Sequence, residues 1–358
     1  MTRTLKAALA AAAALLCAMP AGATGYTFSL LGDRPFAAPG QTYATGINNS
    51  GTVVGYSGDP GLNITSFTYS NGVFDVAIPT FPFDYAGSDT VLGISNDGKM
   101  VGYYVAGEAT PFGPRYRYVP FEYDGGQFTL LPPGPNAIDP NNLGVGPFGV
   151  NISGQIAGDY VDAGWNNHGL LYSGGAYTVL DYPGTGVPGS MIDNTQAFGI
   201  NDLGEVVGCY DGPGAGFNGH AFTYTGGVYA SLTVAGARDT CASGVNNHGA
   251  VAGTYFDDLS YWGTHHGFVF ENGVYQLVDD SGLPGGVQDA FITGINDLGQ
   301  LSGYYYDDTF AVHSFIASPD LAAPAPEPAA WMLMLTGFGL AGVRLRRQAR
   351  GSGVVANT

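Results

Sequence analysis

Basic residues are scarce in this chain wherever a folded body is expected. The 358 residues hold 11 Lys or Arg against 29 Asp or Glu. Between residues 25 and 326 five basic residues face 28 acidic ones, a net charge of −23. Such a body repels phosphate, which excludes a nucleic-acid partner; it suits an extracellular surface or one that collects cations. Cysteine is nearly absent too, with three in all. No G-x-S-x-G elbow, P-loop or H-E-x-x-H occurs, so no ready-made catalytic motif is present. Long apolar runs are confined to the two ends.

Glycine is abundant, and it is periodic. A glycine, a second five residues on and a third at nine recur six times: Gly46, Gly51 and Gly55; Gly93, Gly98 and Gly102; Gly149, Gly154 and Gly158; Gly199, Gly204 and Gly208; Gly244, Gly249 and Gly253; Gly294, Gly299 and Gly303. Turn formers precede the second glycine, as in Asn201-Asp202-Leu203-Gly204, so the first half of a unit reads as a β-hairpin closed by Asn, Asp and Gly. Asp202 and Asp297 are assigned to hairpin closure and to no ligand. The third glycine is followed within two residues by Tyr56, Tyr103, Tyr160, Tyr210, Tyr255 or Tyr304. The second half of a unit holds two more short strands around a glycine turn, as in His220-Ala221-Phe222-Thr223-Tyr224 and Val228-Tyr229-Ala230.

Each unit is therefore a four-stranded antiparallel sheet, and the spacing of about 50 residues is that of propeller blades. Tyr26–Leu30 resembles a fourth strand placed ahead of the first unit, and the last unit lacks one. The N-terminal strand can complete the last sheet and close a ring, which removes exposed edges. The expected fold is all-β, a six-bladed β-propeller over 24–320. Its irregular insertions, 106–117, 132–147, 183–195 and 284–289, are the expected place for a partner.

The ends read differently. Residues 1–23 have a basic start, an apolar run and a small-residue cleavage site, the pattern of a secretory signal peptide. Cys17 follows Leu16 where a lipidated cysteine wants a small residue. Residues 321–328 are a Pro-rich linker, 329–347 an apolar helix with a basic end that stays cytoplasmic, and 348–358 a short tail. The apolar run of about 22 Å as a helix is shorter than a bilayer core, which snorkelling arginines offset.

The repeats resemble the HAF family of extracellular repeats, named for the tripeptide His220-Ala221-Phe222. The C-terminus resembles a PEP-CTERM sorting signal: Pro326, Glu327 and Pro328, the apolar run, then Arg344, Arg346 and Arg347. That resemblance implies signal peptidase and an exosortase as processing partners, and export across the inner membrane of a Gram-negative, exopolysaccharide-producing bacterium. Sorting would release the repeats to the surface or matrix; without it the helix remains a membrane anchor.

Candidate chemistry is sparse. His168, His220, His266 and His313 recur at one position in separate units, which fits a structural role, satisfying a backbone group in each blade. His248, His265 and His266 lack a diagnostic metal spacing. Asp211, Asp257, Asp258, Asp307 and Asp308 follow second strands and are the calcium candidates, expected along one rim; no other cofactor is implied. Trp165, Trp262 and exposed tyrosines can stack on sugars. Cys209 and Cys241 can meet between adjacent blades as a disulfide, which export permits, or stay as free buried thiols. The reading is a non-enzymatic surface or matrix protein that binds or scaffolds in an exopolysaccharide layer. The alternatives are a carbohydrate-binding, lectin-like propeller and a polysaccharide-cleaving enzyme.

Overall fold

The computed structural model describes residues 25–320 apart from 36, 38–39, 59–63, 79–84, 111–112, 136–144, 163–165, 185–193, 212–218 and 258–262. The signal peptide, the PEP motif Pro326-Glu327-Pro328, the sorting arginines and the tail lie outside the described residues, as do Asp258, Trp165 and Trp262.

Six four-stranded antiparallel sheets follow one another. After β1 (Tyr26–Leu30), blade 1 is β2 (Thr42–Ile47), β3 (Val53–Ser57), β4 (Thr65–Ser70) and β5 (Val73–Val76). Blade 2 is β6 (Tyr85–Ile94), β7 (Met100–Thr110), β8 (Gly113–Asp124) and β9 (Gln127–Leu130). Blade 3 is β10 (Val145–Val150), β11 (Ile156–Val161), β12 (Asn167–Ser173) and β13 (Ala176–Val179). Blade 4 is β14 (Thr195–Ile200), β15 (Val206–Asp211), β16 (Gly219–Thr225) and β17 (Val228–Leu232). Blade 5 is β18 (Asp239–Val245), β19 (Val251–Phe256), β20 (His265–Glu271) and β21 (Val274–Leu277). Blade 6 is β22 (Asp289–Ile295), β23 (Leu301–Tyr306) and β24 (Val312–Pro319), completed by β1.

The first strands β2, β6, β10, β14, β18 and β22 touch their neighbours in a closed cycle, so they surround an axis and the molecule is a six-bladed propeller. The N-terminal strand closes it as the sequence implies: β1 pairs β24 from Tyr26↔Pro319 to Leu30↔Phe315, with the Phe28 and Phe315 rings 5.1 Å apart. The insertion at 106–117 is not an irregular loop. β7 and β8 go on pairing as far as Thr110↔Gly113, which extends their hairpin beyond those of the other blades.

The three glycines of a unit do three jobs. In blade 4, Gly199 packs against the next blade: a Cβ there would sit 2.9 Å from the Cα of Gly244. Gly204 takes φ +81° in the hairpin turn, a conformation that side chains resist. Gly208 faces the bent first strand so closely that a Cβ would strike the Gln196 carbonyl. The space beside the third glycine is filled from the third strand. Phe67, Phe121, Leu170, Phe222, Phe268 and Phe315 stand opposite the third glycine of their blades, and none is more than 1% exposed. Burying each stabilises the fold by about 2–3 kcal/mol. The Phe of the HAF tripeptide is thus blade core.

Antiparallel pairing sorts the connections by face. The first-to-second and third-to-fourth strand turns lie on one face. The second-to-third connections and the links between blades lie on the other, where the first strands begin. The described ends of the insertions at 106–117, 132–147, 183–195 and 284–289 lie there.

Candidate functional site

Each first strand carries a β-bulge in register with its neighbours. Pairing skips one residue, between Ala44 and Gly46, Val91 and Gly93, Pro147 and Gly149, Ala197 and Gly199, Ala242 and Gly244, and Ile292 and Gly294. A bulged residue leaves the ladder and its side chain is re-aimed. The skipped residues Thr45, Leu92, Phe148, Phe198, Ser243 and Thr293 all line a cavity on the axis. They break the sixfold repeat. Blades 2, 3 and 4 present Leu92, Phe148 and Phe198, the last two with rings 4.9 Å apart; blades 5, 6 and 1 present the smaller, hydroxylated Ser243, Thr293 and Thr45. Thr45 donates to the Val91 carbonyl at 2.9 Å, and the Thr293 hydroxyl meets that of Ser302 at 3.0 Å.

The cavity, about 500 Å³, leans toward the side with the smaller residues. Its wall there is aromatic and unbroken. The Phe256 and His265 rings lie 4.8 Å apart, His265 and Phe291 4.8 Å, Phe291 and Tyr304 5.1 Å, Tyr304 and Tyr43 5.3 Å, and Tyr43 and Tyr56 5.0 Å. Polar groups frame it. Asp239 lines the cavity and accepts the Gly219 N–H at 2.6 Å. The Arg238 guanidinium lies 5.5 Å from the Phe256 ring centre. Asp289 accepts from the His265 main chain at 2.9 Å and meets its Nδ1 at 2.7 Å. Burial pushes the Tyr43 and Tyr56 hydroxyls up to about 12, so both keep their protons at neutral pH.

Toward the turn face the channel narrows through Ile47, Ile94, Val150, Ile200, Val245 and Ile295 to a space of about 50 Å³. A polar belt lies below. Asn48, Asn151, Asn201, Asn246 and Asn296 each donate through Nδ2 to the main-chain carbonyl at the same position of the next blade, at 3.0–3.3 Å. The same five residues close their own turns; Asn246 Oδ1, for example, accepts from His248 and Ala250 N–H at 3.0 Å each. Ser95 interrupts the belt at blade 2, where Lys99 reaches the Ile152 carbonyl of blade 3 at 3.2 Å.

This corrects the assignment of Asp202 and Asp297 to hairpin closure, which the Asn one residue earlier performs. Asp202 accepts from Ile152 N–H, Asn247 Nδ2 and Asn96 Nδ2, the last from a blade two places away. Asp297 accepts from Asn247 and Asn49. Together they lace the belt across the axis.

The recurring histidines stay inside their blades and pack against a tyrosine of the second strand. His168 is 4.8 Å from Tyr160, His220 5.4 Å from Tyr210, His266 5.6 Å from Tyr255 and His313 5.1 Å from Tyr305. Their partners are side chains rather than the expected backbone groups: Asp181, Thr233, Asp280 and Asp307. The Asp280 hydrogen bond raises His266 above its ordinary value. The same pairings distribute the calcium candidates. Asp257 holds Thr264 N–H and faces His266. Asp307 caps Thr309 and Ala311 and meets His313, which holds its carboxyl far below the usual range. Asp211 is bonded by Asn194 and Asp308 by Gln288. These four follow second strands and so lie along one face as expected, but each is used within its own blade or at its edge, and among the described residues no three His, Cys, Asp or Glu side chains gather as a metal site. His265 and His266 face different partners, and His248 sits in a turn at the belt end.

Cys209 and Cys241 are joined across the seam between blades 4 and 5, with Cα atoms 5.0 Å apart. They occupy positions that tie other seams by other means. Gln196 Nε2 donates to Asp159 at 2.8 Å, Ile292 N–H donates to Thr254 at 3.2 Å, and Tyr304 packs edge-on against Tyr43.

The aromatic wall and the bulge ring were not singled out by sequence reasoning. The ring did have a signal: its members are the residues immediately before the first glycine of each triplet.

No protein-family model matches the chain, and no curated protein matches it. Solved structures with a similar course of chain include AofleA from Arthrobotrys oligospora, at 11% identity over 83% of this chain and 88% of that one, TM-score 0.48. The fucose-specific lectin from Aleuria aurantia is 12% identical over 81% of this chain and 100% of its own, TM-score 0.43. An ulvan lyase of polysaccharide lyase family PL25 is 14% identical over 82% and 84%, TM-score 0.38. The strand pairing of this chain establishes the propeller by itself.

Proposed function

We propose that this protein is an exported carbohydrate-binding propeller whose site is the aromatic-walled mouth of the central channel. The observation that carries the reading is the continuous wall from Phe256 to Tyr56 over a cavity of about 500 Å³. That volume falls in the range of small-ligand pockets, which combine an apolar lining with a few placed polar groups. Sugar rings offer that combination in reverse: C–H faces for Phe291 and Tyr43, and hydroxyls for Asp239, Asp289, His265 and the tyrosine hydroxyls. The wall joins side chains from three blades, so it exists only when the ring is closed.

The terminal segments supply the setting. A signal peptide at 1–23 and a PEP-CTERM-like signal at 321–347 would deliver the propeller beyond the inner membrane. There, an exosortase would release it to a surface or exopolysaccharide matrix, with binding rather than bond cleavage as its role. The test is a glycan array followed by calorimetry on the hits, with Phe291→Ala and Tyr43→Ala as variants. Binding by the native protein, weakened about tenfold or more in each variant, is the expected result. A native protein that binds no glycan, or variants that bind unchanged, would overturn the reading.

A further inference from the structure

Resting on that reading, we infer that the channel recognises chain ends: it takes the terminal sugar of an uncharged glycan, end-on, and excludes internal stretches of the chain. Three features of the channel lead there.

The first is that it is blind. Below the cavity the Ile and Val ring narrows the axis to a space of about 50 Å³. Beneath that ring, Asn96, Asp202, Asn247, Asp297 and Asn49 are hydrogen-bonded to one another around and across the axis. A chain that enters along the axis cannot pass through, so what reaches the bottom is an end.

The second is that the cavity is lopsided. Phe148, Phe198 and Leu92 fill one side, whereas Ser243, Thr293 and Thr45 leave room on the other. The aromatic wall stands above that same side. A ligand sliding down the wall therefore arrives between an apolar arc and a hydroxylated arc, which fits one sugar ring with its two chemically different edges.

The third is charge. Asp239 lines the cavity, the Arg238 guanidinium beside the wall is engaged by Asp239 itself at 3.7 Å, Asp289 is bonded to the wall histidine, and the body around them carries a large negative charge. A uronate or sulfate entering this field pays both Coulomb repulsion and desolvation, so neutral sugars are selected.

The experiment is an array of neutral linear oligosaccharides printed twice, tethered once through the reducing end and once through the other, beside their uronic-acid counterparts. Binding in one orientation exceeding the other by about tenfold or more, with the uronates silent, is the expected result. Equal binding in both orientations, or uronates bound as well as neutral chains, would overturn the inference and leave glycan binding standing. No binding to any spot would remove both. The second arm is Ser243→Phe, which places in blade 5 the residue that blades 3 and 4 carry at the same bulge, and so fills the channel without a new backbone demand. It should abolish binding of the native protein's hits while the thermal midpoint stays unchanged. A folded Ser243→Phe that still binds would show that the ligand never enters the channel, again without touching the mouth as a binding site.

Discussion

The two faces of the ring are built on opposite rules. On the turn face the same Asn closes the hairpin in five blades and binds the next blade in the same way each time. On the mouth face equivalent positions differ at every seam whose pairing is described: a carboxylate with an amide, a disulfide, a hydroxyl with a backbone N–H, a tyrosine with a tyrosine. Repetition makes a closed, self-satisfied surface because each polar group finds the partner its copy finds. Departure from repetition leaves a lopsided cavity with one aromatic side, and a single ligand needs such a direction. In this molecule symmetry holds the ring together, and its breaking shapes the cavity.

Changes that ignore the distinction between faces should do most harm. Gly244→Val strikes the axis itself, because a Cβ there would lie 3.0 Å from Gly294 Cα and from Ile295 N. We expect more than about 4 kcal/mol of destabilisation, seen as loss of soluble folded protein or of a cooperative urea transition; a native-like transition would break the comparison at its centre.

One lock removed from each face sharpens it. Cys209→Ser with Cys241→Ser opens one mouth seam, and with a sequence separation of 32 between the partners the loss should be about 3–4 kcal/mol. Asn246→Ala orphans the buried Ala250 N–H and the His248 N–H and takes from the Asn296 carbonyl one of its two donors, the other being Gly299 N–H, at about 2 kcal/mol. Asn246→Ser should recover part of that, since Ser95 holds the same position in blade 2 and bonds the Lys99 N–H at 2.9 Å. Urea midpoints of the four proteins rank these expectations directly.

The last test is a pH dependence at the mouth. Asp159 is 8% exposed, and burial raises its carboxyl from 3.8 to about 6 against the opposing Gln196 and Gly146 hydrogen bonds. The folded protein thus holds this proton more tightly than the unfolded chain. Its stabilising contribution is complete below about pH 4 and is lost as pH rises to about 6. Native protein minus Asp159→Asn should therefore fall by about 3 kcal/mol across that window and then level off. Asp297 and Asp307, whose carboxyls are lowered, act in the opposite direction but equally in both proteins. A flat difference curve would place no titrating carboxyl at that seam.

Much of the ring was legible in the linear order. The triplet spacing marked the first hairpin of each unit and the close approach at its third glycine, and the lone strand before the first triplet marked the closure. The site was harder to read. An extra residue at a bulge shifts the two-residue alternation by one, so Phe148, Phe198 and Ser243 read as ordinary strand positions although they face the axis. The tyrosines after the third glycine looked like one class but are two. Tyr56 and Tyr304, one residue on, line the cavity; Tyr160, Tyr210 and Tyr255, two residues on, pack on histidines inside the blades. The step of one residue turns a strand side chain to the opposite face. The carboxylate partners of the histidines were hidden for another reason. Asp181 and Asp280 lie 13 and 14 residues beyond His168 and His266, and a hairpin brings them back.

By itself the sequence determined what depends on neighbours along the chain: where turns fall, which positions admit no side chain, how many units there are, and that the body is acidic. Only the tertiary structure decided what depends on neighbours around the ring. That covers the joining of Cys209 to Cys241, the lacing of Asp202 and Asp297 across the axis, and the meeting of Phe256, Phe291 and Tyr43 in one wall. These groups lie tens to hundreds of residues apart, and only closing six sheets on a common axis brings them within contact distance.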